Sequence, residues 1–254
     1  MSKPKNRIPP QKPAATKPAK RETVVVAYIH PGTVSAYFTK SLMLTLLFDR
    51  VREQRIVNVL DDWSSANISA SRNELTRQFL DESSADWLLW IDSDMAWQPD
   101  ALEQLLAVAD PTDRPVVGGL CFGALDDQLF PTIYHLAALP DGGFSTVRVF
   151  DYPPDALVRC TATGAAFLLI HRSALTAIRD HGFNATFPWF QETENAGQPV
   201  GEDITFCLRA GQVGVPIHVN AAVKVGHHKS TLLTEERFLA QRRAEAEQQT
   251  AQEG

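Results

Sequence analysis

Residues able to hold a metal, a phosphate or a proton gather at four places in this chain of 254 residues. The apolar run Trp87-Leu-Leu-Trp-Ile91 ends in Asp92-Ser93-Asp94, so two carboxylates one residue apart leave what reads as a buried strand. Open α/β sheets bind ligands at the carboxyl ends of their strands, and paired carboxylates there suit a cation carrying a diphosphate. Aspartates also serve as turn residues after strands, and the tripeptide alone leaves both roles open. Gly201-Glu202-Asp203 opens a helical pattern with Ile204, Cys207 and Leu208 at i, i+3 and i+4, and Gly211 placed to end it. Acids in a first turn are favoured by the helix dipole; one that faces a cleft can also take a proton from a bound hydroxyl. The strand-like Ala222-Val-Lys-Val-Gly226 runs into His227-His228-Lys229. A His at a strand end is either a hydrogen-bonded structural residue or a ligand, and Mn2+ accepts imidazole with carboxylate where Mg2+ prefers oxygen and water. Arg72-Asn73 stands where a Ser- and Asn-rich loop should meet a helix. Arg can pair with a diphosphate or stack on a base, and Asn can read a base edge or a ribose, with helix capping as its other role.

The elements that must position these residues follow from periodicity. Thr23-Val-Val-Val-Ala-Tyr-Ile29 predicts a first core strand closed by the turn His30-Pro31-Gly32-Thr33, and Phe38, Leu42 and Leu46 then mark one face of a helix. Arg55 to Leu60 predicts a second strand ending at Asp61-Asp62, and Leu75 and Phe79 a second helix. Behind Pro99, Leu102, Leu105, Leu106 and Ala109 form a buried stripe, followed by a strand over 114–122. Cys160-Thr-Ala-Thr-Gly164 leads into the apolar run 165–170 and a helix over 173–180. This alternation predicts an α/β fold around a mostly parallel sheet. Between Gly123 and Arg159 the pattern loosens into short pieces such as Thr146-Val-Arg-Val-Phe150. Phe183, Phe187, Trp189 and Phe190 lie in a stretch without regular period, which reads either as a ring-stacking loop or as packing beneath one.

Composition bounds the function. With 44% hydrophobic and 21% charged residues the chain is globular in type and long enough for one sizeable α/β domain. Residues 1–21 differ: they hold five Lys, two Arg and five Pro, no acid, and beyond Met1 only Ile8 as a large apolar side chain. They read as a disordered basic tail, residues 22–233 as the folded domain and 234–254 as a charged helix and tail. The tail carries +7 of a total of −6, which leaves −13 on residues 22–254 and argues against nucleic acid as the main partner. No run reaches the roughly 18 apolar residues of a membrane span, and no signal-peptide cleavage pattern follows the first apolar run. Cys121, Cys160 and Cys207 form no Cys-x-x-Cys pair and read as buried reduced thiols of a cytoplasmic protein.

Taken in order, these motifs resemble the GT-A fold glycosyltransferases, particularly family 2-like nucleotide-sugar transferases and their short stand-alone forms in bacteria and phages. The resemblance spans Thr23 to Lys229 and rests on Ser71-Arg72-Asn73 with Phe79-Leu80, Trp87 to Met95, Thr163-Gly164, Gly201-Glu202-Asp203 and Val225-Gly226-His227. It implies a nucleotide-diphosphate sugar as donor, Mn2+ or Mg2+ as cofactor and a hydroxyl-bearing acceptor. It also implies that Asp94 binds the metal, that Asp92 contacts ribose or the metal's water, and that His227 is a further ligand. Pro31, Arg72, Asn73, Asp92, Ser93 and Gly164 would lie on the donor side, and Glu202 and Asp203 on the acceptor side with Asp203 as base of an inverting reaction. The segment after Gly123 would supply acceptor-side structure, while Asp61-Asp62-Trp63-Ser64 matches the nucleotide loop only loosely. Two other readings stand beside this one. A sugar nucleotidyltransferase would carry a Gly-rich basic loop where this chain has His30-Pro31-Gly32; a non-catalytic carbohydrate-binding or virion-associated protein would have lost an essential carboxylate, and none is missing.

Overall fold

Strand alternation decides how the central sheet is covered. The protein is described here by a computed structural model over residues 21–64, 67–125, 128–139 and 143–230, with Glu235, Leu239 and Arg242 besides. In chain order the elements are β1 (Val24–His30), α1 (Ala36–Arg52), β2 (Ile56–Trp63), α2 (Ile68–Glu82), β3 (Trp87–Ile91), β4 (Met95–Ala96) and α3 (Ala101–Leu106). There follow β5 (Val116–Leu120), β6 (Phe122–Leu125), β7 (Gln128–Pro131), β8 (Ile133–Ala138), β9 (Phe144–Arg148), β10 (Leu157–Cys160) and β11 (Ala162–Thr163). The last are β12 (Phe167–His171), α4 (Arg172–His181), β13 (Thr193–Asn195), β14 (Gln198–Val200), α5 (Glu202–Gln212), β15 (Ile217–Lys224) and β16 (Gly226–His227).

The seven-stranded sheet has the order β10-β15-β5-β12-β3-β1-β2. β1, β2, β3, β5 and β15 run one way, and β12 and β10 run against them. The mostly parallel sheet expected from the sequence is therefore present, with two reversed strands inserted. Successive strand residues face opposite sides. Leu88 and Trp90 of β3 join Phe79 of α2, Ile178 of α4 and Phe206 of α5 in one core layer. Trp87, Leu89 and Ile91 join Phe38 of α1 and Leu102 and Leu105 of α3 in the other. Among the described residues no helix is long and apolar enough to cross a membrane. The three cysteines are buried and unpaired. The expected tail falls on residues outside those described apart from Arg21, as does most of the segment from 234 onward.

Two helices differ from the sequence reading. On α1 the buried line is Phe38, Ser41, Thr45 and Asp49 rather than Phe38, Leu42 and Leu46. The polar members earn their burial by hydrogen bonding: Ser41 Oγ accepts the Trp97 backbone N–H at 3.1 Å and Thr45 Oγ1 the Trp97 indole N–H at 2.8 Å. The Asp49 carboxylate accepts the N–H groups of Arg55 and Ile56, which fixes the start of β2. α2 begins at Ile68, earlier than expected, because Asn67 caps it by accepting the Ala70 N–H at 2.9 Å. Arg72 and Asn73 therefore sit inside the helix.

A bulge at the end of β15 determines where the last motif goes. Asn220 pairs with Gly119 and Lys224 with Leu120, so three residues of β15 lie opposite no partner of β5. A Cβ on Gly119 would meet Val225 Cγ2 at 2.9 Å and Phe167 Cδ1 at 3.0 Å, so only glycine lets the bulged strand pack this closely. Beyond the bulge, β16 pairs antiparallel with β4, His227 opposite Met95.

Candidate active site

The carboxyl ends of β1 and β3 and the start of α5 enclose a cavity of about 670 Å³. Its lining includes Pro31, Ser35, Arg72, Asp92, Ser93, Asp94, Glu202, His228 and Lys229. The loop after β3 is held from both sides. Asp92 N–H donates to the Ala166 carbonyl at 2.9 Å, Ser35 N–H to the Ser93 carbonyl at 2.9 Å and His228 N–H to the Asp94 carbonyl at 2.8 Å. The start of α1 and the strand end after β15 are thus locked onto Asp92-Ser93-Asp94.

Asp94 and His227 face each other. His227 Nδ1 lies 2.9 Å from the Phe122 carbonyl, which only accepts, so this nitrogen bears the proton. Nε2 lies 3.0 Å from Asp94 Oδ2, and in a neutral ring that contact would set a lone pair against a carboxylate oxygen. Either a second ring proton or a cation shared by both atoms resolves it. The hydrogen bond to Asp94 raises the His227 pKa, more than burial lowers it. Burial pushes the Asp94 carboxyl up, but the hydrogen bonds and charges of His227 and Lys229 hold it below its ordinary value. Lys229 Nζ lies 3.1 Å from Asp94 Oδ2. Oxygen and imidazole nitrogen oriented by a carbonyl behind the ring form a donor set that fits Mn2+.

Asp92 does not join them. Its Oδ1 accepts a hydrogen bond of 2.6 Å from Arg72 Nη2, and no cluster of three or more metal-ligating groups occurs among the described residues. Of the three residues expected to hold a metal, Asp94 and His227 face each other, whereas Asp92 is turned to the Arg72 charge. Arg72 itself is 3% exposed. Its guanidinium lies over Trp90 at 5.1 Å and Phe190 at 5.6 Å, and its Nε is 3.4 Å from Glu202 Oε1. One buried cation thus bridges the loop after β3 and the start of α5.

Two expected donor-side residues lie elsewhere. Asn73 is buried, and its amide donates to the carbonyls of Ser69 and Phe190, both at 2.6 Å, and accepts the Trp189 N–H at 3.0 Å. Every polar atom is used in pinning the aromatic stretch to α2, so none is free for a nucleotide. Trp189 and Phe190 are correspondingly core residues, Phe190 stacked on Phe206 at 4.9 Å, which decides these two in favour of packing, while Phe183 and Phe187 are half-buried. Gly164 faces Asp203, whose Oδ2 would be 3.6 Å from a Cβ there, and is not part of the cavity lining.

Asp203 opens into a second cavity, of about 590 Å³, beside Phe130, Tyr134, Arg148 and Phe150. Burial pushes its carboxyl up to about 6, and the neighbouring Glu202 adds to the rise. Its Oδ1 accepts the Ile204 N–H at 2.7 Å. Adjacent residues at one helix start therefore serve different spaces, Glu202 the first cavity and Asp203 the second. α5 is held in place from behind, where Cys207 Sγ contacts the Thr163 backbone at 3.4 and 3.5 Å. Sequence reasoning missed Tyr134 and Arg148, which come together only through strand register, and read His30 as a mere turn residue. His30 Nδ1 accepts the Gly32 N–H at 3.0 Å, so its free proton sits on Nε2, 3.4 Å from Asp61 Oδ2 and at the cavity rim.

No protein-family model matches the chain, and no curated protein matches it in sequence. Solved structures do match. A197 from STIV superposes with a TM-score of 0.50 and 16% identity, over 82% of this chain and 86% of that one. GalNAc-T7, solved with UDP, GalNAc and Mn2+, superposes with a TM-score of 0.52 and 12% identity, over 83% of this chain and 44% of that one. This is a GT-A glycosyltransferase fold. On this fold the first turn of α5 contributes to both cavities, Glu202 beside Arg72 to the first and Asp203 to the second.

Proposed function

We propose that the chain acts as a glycosyltransferase, moving a sugar from a nucleotide-diphosphate sugar to an acceptor hydroxyl, with Asp203 as the base of an inverting displacement. The observation that carries this reading is the division of Glu202 and Asp203 between two cavities, with the Asp203 carboxyl pushed up to about 6. A carboxylate of that pKa is ionised at neutral pH yet takes a proton more readily than an ordinary aspartate.

The donor would occupy the first cavity. Pro31 and Ser93 would border the nucleotide, Asp92 would meet the ribose while held by Arg72, and Lys229 would offer positive charge to the diphosphate. Asp94 and His227 would hold Mn2+, or Mg2+ less favourably. The bound ion would supply neutralisation of the charge that develops on the departing diphosphate. Glu202, anchored by Arg72, would orient the reacting groups, and Asp203 would withdraw the acceptor proton as its oxygen attacks the sugar from the second cavity.

A panel of nucleotide sugars, each tested for thermal stabilisation with and without Mn2+, tests this reading. A donor at about 100 times its Kd should add roughly 2.7 kcal/mol to stability. A panel in which no nucleotide sugar stabilises the protein, with or without Mn2+, would refute it.

A further inference from the structure

The second cavity has walls that say what it takes. Tyr134 stands directly opposite Arg148 across β8 and β9 and opposite Ala162 across β8 and β11, so Tyr134 and Arg148 share a face of the small sheet. Phe130 and Phe150 add two rings, and Thr146 a hydroxyl. The Arg148 guanidinium lies 3.8 Å from the centre of the Phe130 ring, which steadies an otherwise exposed side chain. It forms no salt bridge with any carboxylate of the described residues. The Asp203 carboxyl answers instead to burial, Glu202, the Ile204 N–H, Arg72 and Asp92.

Aromatic rings flanking polar groups suit the apolar faces and hydroxyls of a sugar, and the volume falls within the usual range for a small-ligand site. A guanidinium propped on a ring presents its N–H fork to a carboxylate or a phosphate. Because residues 22–254 carry −13, an anionic ligand would be repelled from this surface unless a cation received it locally. We propose that the second cavity binds an acceptor saccharide bearing an anionic group, and that Arg148 selects it. The word acceptor rests on the transferase reading above; the preference for an acidic saccharide does not.

The test uses the full chain and three soluble probes: methyl glucuronide, glucose 6-phosphate and methyl glucoside, with binding read by saturation-transfer NMR at low salt. At least one acidic probe should bind about ten-fold more tightly than the neutral one, the worth of one charge-assisted contact. Whichever acidic probe binds better identifies the anion as carboxylate or phosphate. Arg148→Gln should erase the preference while keeping neutral binding and melting temperature, and Phe150→Ala should weaken all three probes. Equal binding of acidic and neutral probes overturns the proposal, as does a preference that survives Arg148→Gln. Binding of prenyl-phosphate vesicles or of peptides, with no saccharide bound, overturns it too. Acidic-saccharide binding through Arg148 without binding of any nucleotide sugar would refute the transferase reading and leave this inference standing; the reverse result would do the opposite.

Discussion

In the proposed reaction the chemistry turns on Asp203, and its raised pKa makes two separable predictions. Asp203→Asn should lower turnover by about 10²–10⁴-fold while donor affinity, measured calorimetrically, stays within a few-fold. In the unchanged protein, turnover should rise with pH through about 6, and a limb near 4 would count against Asp203 as the base. Stability should carry the opposite sign. A carboxyl raised from 3.8 to about 6 binds its proton more tightly when folded, so ionising it costs stability as pH rises through that window. Asp203→Asn should accordingly melt higher than the parent at pH 7, with the gap closing below pH 4. His227 contributes stability that is full below its ordinary 6.5 and is lost as pH rises through its higher folded value. Asp94, lowered on folding, contributes above 3.8 and loses that contribution as pH falls through its folded value. Asp94→Asn and His227→Ala should each weaken Mn2+-dependent donor binding and leave the protein folded, and calorimetry that finds binding unchanged in both would remove them as ligands. These acids and His227 were legible in the sequence because each ends a strand or opens a helix. Asn73 misled because adjacency to Arg72 does not say that its amide is spent on the backbone of Ser69, Trp189 and Phe190.

Elements hold these groups through a few positions far from the chemistry. Gly119→Ala would force Val225 and Phe167 apart, an overpacking that should cost about 1–3 kcal/mol by urea denaturation. It should also weaken Mn2+-dependent donor binding, because the bulge it disturbs delivers His227 to β4. Asn73→Ala would strand buried carbonyl and amide groups of Ser69, Trp189 and Phe190, costing about 1–3 kcal/mol. If neither variant lost stability, the close packing and the amide lock described above would not be needed. Hydrophobic period revealed which stretches are strands and helices, β3 most plainly, since its five residues are all buried. It did not reveal the antiparallel insertion of β12 between β3 and β5, because strand neighbours are chosen by tertiary pairing. It also misread α1, where polar Ser41, Thr45 and Asp49 face inward to accept N–H donors from other elements, backbone donors for Ser41 and Asp49 and the Trp97 indole for Thr45.

At the scale of the molecule, the two core layers lie on either side of the sheet, and neither contains Asp94 or His227. Under the proposed reading, EDTA should therefore abolish donor-dependent stabilisation without lowering the melting temperature of the ligand-free protein; a fall in that temperature would assign a bound ion to structure instead. The fold class was readable from the alternation of elements, while the second cavity was not, since its walls come from short strands whose register no period announces. One feature joins the halves of the molecule. Glu202 and Asp203 are consecutive, so the two cavities are indexed to each other by a single peptide unit about 3.8 Å long on a rigid helix. The block from β7 to β9 supplies most of the remaining wall around Asp203 and none of the first cavity's lining, whereas β6 belongs with the donor side because its Phe122 carbonyl orients His227. That block is in effect an interchangeable jaw: under the proposed reaction, grafting one from another protein of this fold, with the β6–β7 and β8–β11 registers kept, would exchange the molecule that is modified without recalibrating the donor chemistry.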